Sequence, residues 1–352
     1  MSGPTVDGVL TARELGLTGH TIADLQLPSG MVQWYPGGHA DPWNHVETAM
    51  ALATVGFIGE AERAYQWLID IQLPNGAWHN YYLDDGIEDS KFDTNCVAYF
   101  ATGVWHHFLA TGDRGFLEHC WPTVRAAIEF VLTLQRTRGE IIWAQRADGD
   151  PWSYALLTGS SSISHSLSCG LNIAIELGHD CSHWAPARDR LVDVIVNQPH
   201  AFEPKERWAM DWYYPVLAGV VTGDDGRKRM MDSWDKFVMD GKGVRCVSDR
   251  PWVTAAETCE CVMALLAAGE DDSAGRLFTW AQQLRAPDGS YFTGIVYPES
   301  VHFPADERSA YTAAAVILAA DALEGTSPTS GLFTNHQATR RNTRSEPVTE
   351  IS

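Results

Sequence analysis

Six apolar runs of helix length start directly after polar, aromatic-rich loops, and this recurrence constrains the fold more than any single motif. They begin near Asp41 (DPWNHVETAMALATVG), Asp93 (DTNCVAYFATGVWHHFL), Ser160 (SSSISHSLSCGLNIAIELG), Asp211 (DWYYPVLAGVV), Thr254 (TAAETCECVMALLAAG) and Asp306 (DERSAYTAAAVILAADAL). Between them lie runs with a one-sided stripe, such as Val124, Ala127, Ile128, Val131 and Leu132, or Met230, Met231, Trp234, Phe237 and Val238. That is the spacing of an amphipathic surface helix. Surface helices are predicted near 58–71, 113–135, 184–196, 223–239 and 270–285. Buried and half-exposed helices thus alternate at intervals of roughly 40 to 70 residues, as in stacked helical hairpins. Closed on itself, such an array is an all-α toroid whose inner helices all present their N-termini to one mouth.

Gly and Asp-Gly punctuation (TVGFIGE, ATGDRG, LGHD, TGDDG, AAGEDD) marks short turns from inner to outer elements. The return connections are longer. IQLPNGAWHNYY (71–82), LQRTRGEIIWAQ (134–145) and QQLRAPDGSYFTGIVY (282–297) each combine a Gln at a helix end, a turn, a Gly and then aromatic and β-branched residues. DGKGVRCVSDRPW (240–252) keeps the Gly and lacks the Gln. Each reads as a turn followed by a short hairpin-like extended segment on the side where inner helices begin. Trp34, Trp43, Trp78, Trp143, Trp152, Trp212 and Trp252 fall on that side. Wedging between helices explains any one of them. Together with Asp, Asn, Gln and His they have the composition of a sugar-binding cleft, where indoles stack on pyranose faces and polar groups meet hydroxyls.

Of 352 residues, 25 are Lys or Arg and 45 are Asp or Glu, a formal charge of −20. A field of that sign repels phosphate backbones and anionic lipid heads, so neither nucleic acid nor membrane is an expected partner. The seven cysteines form no CxxC pair and mostly lie inside apolar runs, as reduced buried thiols do in a cytoplasmic protein. The N-terminus has no secretory pattern, and no apolar run reaches the ~18 residues of a membrane span. Residues 1–324 read as one domain. Residues 325–352, polar and without periodicity, read as a tail or a surface strap.

Two carboxyl groups across a cleft suffice for glycoside hydrolysis, one to protonate the leaving oxygen and one to activate water or attack carbon. Many acids here have a structural alternative. Asp41, Asp93 and Asp211 stand where N-caps stand, and Thr254 with Glu257 spells a T-x-x-E capping box, although a cap at the mouth can also touch ligand. Asp148 and Asp150 fit a DG turn. Glu299 has no capping role and is otherwise a solvated loop acid. Glu47 and Glu260 differ from all of these, each lying a turn inside an apolar helix where a carboxylate needs a partner.

WSYALLTGSSSISHSLSCGLNIAIELG (152–178) resembles the segment after the catalytic acid in glucoamylase-type enzymes, glycoside hydrolase family 15. TCECVMALLAAGEDDSAGRLFTWAQQLRAPDGSYFTGIVYPES (258–300) resembles that family's penultimate inner helix, outer helix and base-bearing loop, and GFLEHCWPTVRAAIEFV (115–131) fits an outer helix between them. The resemblance implies an (α/α)6 barrel with Asp150 near the acid position and Glu299 near the base position. It departs at Ser153, where the family carries its catalytic Glu. In size and helix-pair layout the chain is similar to single-domain actinobacterial hydrolases acting on α-linked mannose chains of methylated polysaccharides. The expected catalytic candidates are therefore Asp150, Glu299, Glu260 and Glu47. Asp41, Trp43, His45, Trp78, Asp93, Trp152, His165, Asp211, Trp252 and Glu257 are the substrate-binding candidates. The expected partner is an oligosaccharide or polysaccharide, and carboxyl chemistry requires neither metal nor organic cofactor. Hexose, linkage, endo or exo action and oligomeric state stay open.

A rival class shares the toroid. QLPNGAW (72–78) resembles the Gln-Gly-Trp repeat of squalene cyclases. No DxDD acid occurs, however, and DDGIE (84–88) is the nearest approach to a diphosphate-metal motif. A prenyltransferase would also need an Asp, Cys, His zinc set and a basic pocket. A non-catalytic carbohydrate-binding toroid is the other alternative.

Overall fold

The computed structural model describes residues 3–335. It is mostly helical: α1 (Ala12–Ala23), α2 (Pro42–Thr54), α3 (Ile58–Ile71), α4 (Thr94–Thr111), α5 (Arg114–Thr133), α6 (Leu157–Leu177), α7 (Trp184–Asn197), α8 (Ala209–Leu217), α9 (Gly223–Asp232), α10 (Trp234–Phe237), α11 (Ala255–Ala267), α12 (Asp271–Ala281) and α13 (Ala310–Glu324). The expected alternation is present. α2, α4, α6, α8, α11 and α13 are buried on nearly every side, and each packs on the next, α13 returning to α2. Small residues permit this close approach. A Cβ on Gly103 of α4 would sit 2.3 Å from Val46 Cγ1 of α2.

Outside this ring, α3, α5, α7, α9 and α12 each pack on the inner helix that precedes them. The sixth outer position is filled by α1, which contacts α13 and α2. Its signals are a complete Thr11–Glu14 capping box and the buried stripe Leu15, Thr18, Gly19 and Ile22, features absent from the alternation-based reading because α1 precedes the first inner helix. Among the described residues no helix is long and apolar enough to cross a membrane.

The return loops gather on the side where inner helices start, and each pairs with its neighbour. Ala40 bridges Tyr82, β3 (Phe92–Asp93) pairs with β4 (Ala144–Gln145), Ala155 bridges Phe202, and Trp208 bridges Val247. β7 (Trp252–Thr254) pairs with β8 (Gly294–Val296) and β8 with β9 (Val301–His302), while the Ala310 N–H donates to the Trp34 carbonyl at 2.7 Å. Hairpins β1 (Tyr81–Leu83) with β2 (Gly86–Asp89), and β5 (Val238–Met239) with β6 (Gly243–Val244), complete the loops.

The Gln-Gly spacing has a definite structural meaning. The Gln26 side-chain amide donates to Gly30 O (3.1 Å) and Glu60 O of α3 (2.9 Å); Gln72 does the same to Gly76 O (2.9 Å) and Thr123 O of α5 (3.0 Å). Gln135 repeats it to Gly139 O (2.9 Å) and Ala187 O of α7 (2.8 Å). In each case the Gly has a positive φ and lies against the helix three residues further on: a Cβ would meet Arg63 O at 2.3 Å, Ala126 O at 2.2 Å and Arg190 O at 2.7 Å. Arg285 and Gly289 form a fourth, modified copy on α1, reaching Glu14 O (3.4 Å) and Leu17 (3.0 Å). QLPNGAW is thus a joint between loop and outer helix, and Trp78 at its end is core, its indole donating to Leu68 O at 2.7 Å. Gly76→Ala combines a φ of +90° with that backbone clash and is expected to cost about 3 kcal/mol of stability in urea unfolding. Gln72→Ala, which frees two carbonyls, is expected to cost about 1–2 kcal/mol.

Three helix starts differ from expectation. α6 begins at Leu157, earlier than Ser160, and α13 is preceded by Ser309 rather than Asp306. Asp211 lies inside the first turn of α8, because Trp208 takes the extended N-cap conformation. The segment after α13 also differs from a surface strap: Thr329, Ser330, Leu332 and Phe333 are buried against the ring, since Leu332 and Phe333 supply apolar surface that its far end can cover. The expectation for 336–352 lies outside the described residues.

Candidate active site

Position along the inner helices determines which side chains meet. Counting from the first residue of each helix, the sixth is Glu47 in α2, Tyr99 in α4, Ser162 in α6, Tyr214 in α8, Glu260 in α11 and Ala315 in α13. With every start at one level, equal rank means equal depth, at 1.5 Å rise per residue. This layer holds the two carboxyl groups. Together with Tyr99, Tyr214, Leu217, Met263 and Phe333 they line a cavity of about 10 Å³, enough for the centre of one water molecule.

Glu47 is 7 % exposed, and its Oε1 accepts from the Trp43 indole N–H (3.1 Å) and the Tyr99 hydroxyl (3.1 Å). Burial, reinforced by the Asp41 charge, pushes its carboxyl up to about 7. Glu260, also 7 % exposed, accepts from the Tyr213 hydroxyl. Burial, and then the neighbouring Glu47 charge, holds its carboxyl well above the usual carboxylate range. The charge of one acid opposes ionisation of the other, so the two lose their protons in succession and not together. The tyrosines were not among the expected site residues. Their equal rank after each helix start is the signal that reveals them.

Asp41 and Asp93 do cap their helices. Asp41 accepts from the backbone N–H of Trp43 (2.9 Å) and Asn44 (3.0 Å), and Asp93 from those of Asn95 (3.0 Å) and Cys96 (3.4 Å). Each also binds an indole, Trp34 for Asp41 (2.8 Å) and Trp143 for Asp93. Burial raises both carboxyls, Asp93 to about 6. The predicted Thr254–Glu257 box takes another form. The Thr254 hydroxyl donates to the Glu257 carboxylate instead of accepting a backbone N–H, so Glu257 stays half-buried three residues above Glu260.

The mouth carries aromatic rings. Trp34 packs against His39, Tyr81 and Tyr311; Trp43 lies against Tyr99 and Tyr214. Trp143 stacks on Tyr154 with Trp152 at its edge, and Trp252 packs on Phe303. Asp150 and Glu299 sit on exposed turns, Asp150 with its N–H on Asp148 Oδ1 (3.1 Å) and Glu299 between β8 and β9. The structure does not bring them to the buried pair.

Several other candidates face away from the mouth. His45 Nδ1 accepts from the Val32 N–H (3.2 Å) and its Nε2 donates to Ala64 O (2.9 Å), so both nitrogens are used by the scaffold. Trp212 stacks on Phe237 in the core. Asp211 accepts from the Thr158 hydroxyl (2.6 Å) beside a cleft of about 670 Å³ that it shares with Arg229. His165 lies one turn deeper than the carboxyl layer, the ninth residue of α6. Among the described residues no three His, Cys, Asp or Glu side chains converge as a metal ion requires.

No protein-family model matches the chain. Among solved structures, a glycosidase in complex with glucose superposes with a TM-score of 0.71 at 15 % identity, over 93 % of this chain and 100 % of that one. Cellobiose 2-epimerase from Spirochaeta thermophila does so with a TM-score of 0.66 at 14 % identity, over 87 % and 93 %. Hydrolases and epimerases thus share this helical scaffold, and fold alone does not choose between them. Sequence does choose: the MMP endo-(1,4)-3-O-methyl-alpha-D-mannosidase of Mycolicibacterium hassiacum is 48 % identical over 330 residues, 94 % of this chain and 91 % of that protein. With about half of all residues shared along nearly the full length of both proteins, the chain belongs to the family of that endo-mannosidase.

Proposed function

We propose that the protein is a glycoside hydrolase that cleaves α-linked, 3-O-methylated mannose polysaccharide within the chain, on a closed (α/α)6 toroid. The observation that carries the reading is the pair Glu47 and Glu260, brought from opposite parts of the chain to one depth around a water-sized cavity. The ring of helix contacts supports the toroid, and the segments 152–178 and 258–300 support a glucoamylase-like scaffold.

Glu47 accepts two hydrogen bonds, from Trp43 and Tyr99, against one from Tyr213 at Glu260, and these donors favour its charged form. Glu260 therefore protonates the leaving glycosidic oxygen, and Glu47, as carboxylate, activates water or attacks the anomeric carbon. Asp41, Asp93 and Glu257, with the mouth indoles, bind sugar hydroxyls and ring faces; Asp150 and Glu299 meet the polysaccharide outside the buried layer. Seven buried free thiols support a cytoplasmic location.

Purified protein incubated with α-1,4-linked 3-O-methylmannose oligosaccharides is expected to yield internal fragments first, read by mass spectrometry. Cleavage of α-glucans alone, or release of single sugars only, would overturn the reading. Trp152→Ala and Trp252→Ala are expected to raise KM about 2- to 10-fold with little change in kcat, the signature of lost stacking shared by ground and transition states.

A further inference from the structure

The segment that follows α13 reaches the catalytic layer from below. Gly325 turns the chain with a left-handed φ of +70°. The Thr329 hydroxyl then donates to Asp321 Oδ2 at 2.7 Å, and Leu332 and Phe333 enter the ring with exposures of 4 % and 8 %. His165 Nε2 donates to the Leu332 carbonyl (3.1 Å), and the Phe333 ring stacks on the His165 ring with centroids 5.1 Å apart. Leu217, Met263 and Leu318, the residues that meet Phe333 at the cavity, are each the ninth of their helices, one turn beneath the carboxyl layer.

We propose that residues 327–335 are the floor of the active site, and that Phe333 is a positioning residue which keeps water from reaching Glu47 and Glu260 from the far end of the ring. The proposal rests on the reading of these two glutamates as the catalytic pair. An inner ring of helices leaves an axial opening at both ends. At the mouth, Trp43 covers Glu47 and donates to it; at the opposite end the ring meets the Phe333 side chain. The chain that follows the last inner helix therefore completes the site.

The physical effect is on proton affinity. Desolvation is the leading cause of the raised carboxyls of both glutamates, and water entering from below would lower them. The other titratable groups near the pair are Asp41, Tyr99, Tyr213, Tyr214 and Glu257, with Cys246, Cys259 and Cys261 around Glu260 and His165 beneath Phe333. None of these is removed by a change at Phe333, so a shift reports solvent access.

The test compares wild type, Phe333→Ala and Phe333→Leu in two measurements: NMR titration of isotope-labelled glutamate carboxyls, and kcat against pH on 3-O-methylmannose oligosaccharides. Phe333→Ala is expected to move the neutral-range carboxyl titration and the upper limb of kcat down by about one pH unit, with KM changed less than about 2-fold and Phe333→Leu close to wild type. A folded Phe333→Ala protein whose titration is unmoved overturns the proposal, whatever its melting temperature. If Phe333→Ala does not fold, Phe333→Val is judged by the same criterion. A wild type that cleaves no 3-O-methylmannose oligosaccharide refutes the hydrolase reading alone, because the titration needs no substrate.

Discussion

Glu260→Gln is expected to lower kcat by about 10²–10⁴-fold, the usual contribution of a positioned general acid, while the protein stays folded. Gln keeps the size of Glu and can still accept the Tyr213 hydroxyl, so the layer is preserved and only the transferable proton is lost. Glu47→Gln should cost a similar factor through loss of the carboxylate. Stability should move the other way. The Glu47 carboxyl is raised from 4.5 to about 7 by folding. Its favourable contribution is therefore complete below pH 4.5 and disappears as pH rises through 7. At pH 8 the folded wild type carries a buried charge that costs about 3 kcal/mol relative to the neutral side chain. Glu47→Gln should then melt above wild type at pH 8, and the two should converge near pH 4.5. Unchanged turnover in both variants would pass the chemistry to Glu257, Asp150 or Glu299.

The second large effect is acid unfolding driven by histidines. His45, His107 and His165 are each pushed down to about 4 and His106 to about 3, in every case chiefly by burial, with the His107 charge a second cause for His106. A histidine lowered by folding favours the native state above its unfolded value of 6.5, and loses that contribution as pH falls toward its folded value. Each adds a slope of about 1.4 kcal/mol per pH unit. Between pH 7 and 4.5 the raised carboxyls of Glu47, Glu260 and Asp93 oppose this slope. That opposition fades only as pH passes their ordinary values, 4.5 for the two glutamates and 3.8 for Asp93. Unfolding free energy is therefore expected to fall as pH drops from about 6 to 4, with a net slope reporting about one to two protons taken up. His106→Leu should reduce that uptake by about one proton. Urea melts across this range measure both quantities. A flat profile would mean that the histidines are protonated in place.

The alternation of buried and one-sided runs was sufficient to place eleven of the twelve ring helices among the described residues, because each inner run is apolar all round and each outer run keeps a stripe. The twelfth, α1, stands before the first inner helix and so outside the repeating order, although its capping box is plain in Thr11 and Glu14. Glu47 and Glu260 stood out as carboxylates inside apolar helices, a local signal. Asp150 and Glu299 are acids on loops, and residue type alone does not separate a loop acid that reaches the cavity from one that stays in solvent. That difference is one of depth. The same applies to His45 and Trp78, which sit in loop-proximal sequence yet point into the packing between inner and outer helices. Phe333 lay in a stretch without periodicity, where burial depends wholly on what the ring leaves uncovered.

The Gln-to-Gly joints have a consequence for how such a chain can change. On the receiving side, Glu60, Thr123 and Ala187 offer their carbonyl oxygens and Arg63, Ala126 and Arg190 their backbone surface, while the Arg63 and Arg190 guanidinium groups each add a hydrogen bond to the Oε1 of Gln26 (3.0 Å) and Gln135 (2.8 Å). The Gln72 joint forms with Ala126 in the arginine's place, so the bonds made by the Gln amide and the Gly need only helix backbone on the receiving side. The socket is mostly generic helix, and the plug is the specified part. Substitutions can therefore accumulate over the outer shell, altering charge and solubility, while two residues per joint keep the register between adjacent hairpins and, through them, the common depth of the glutamates.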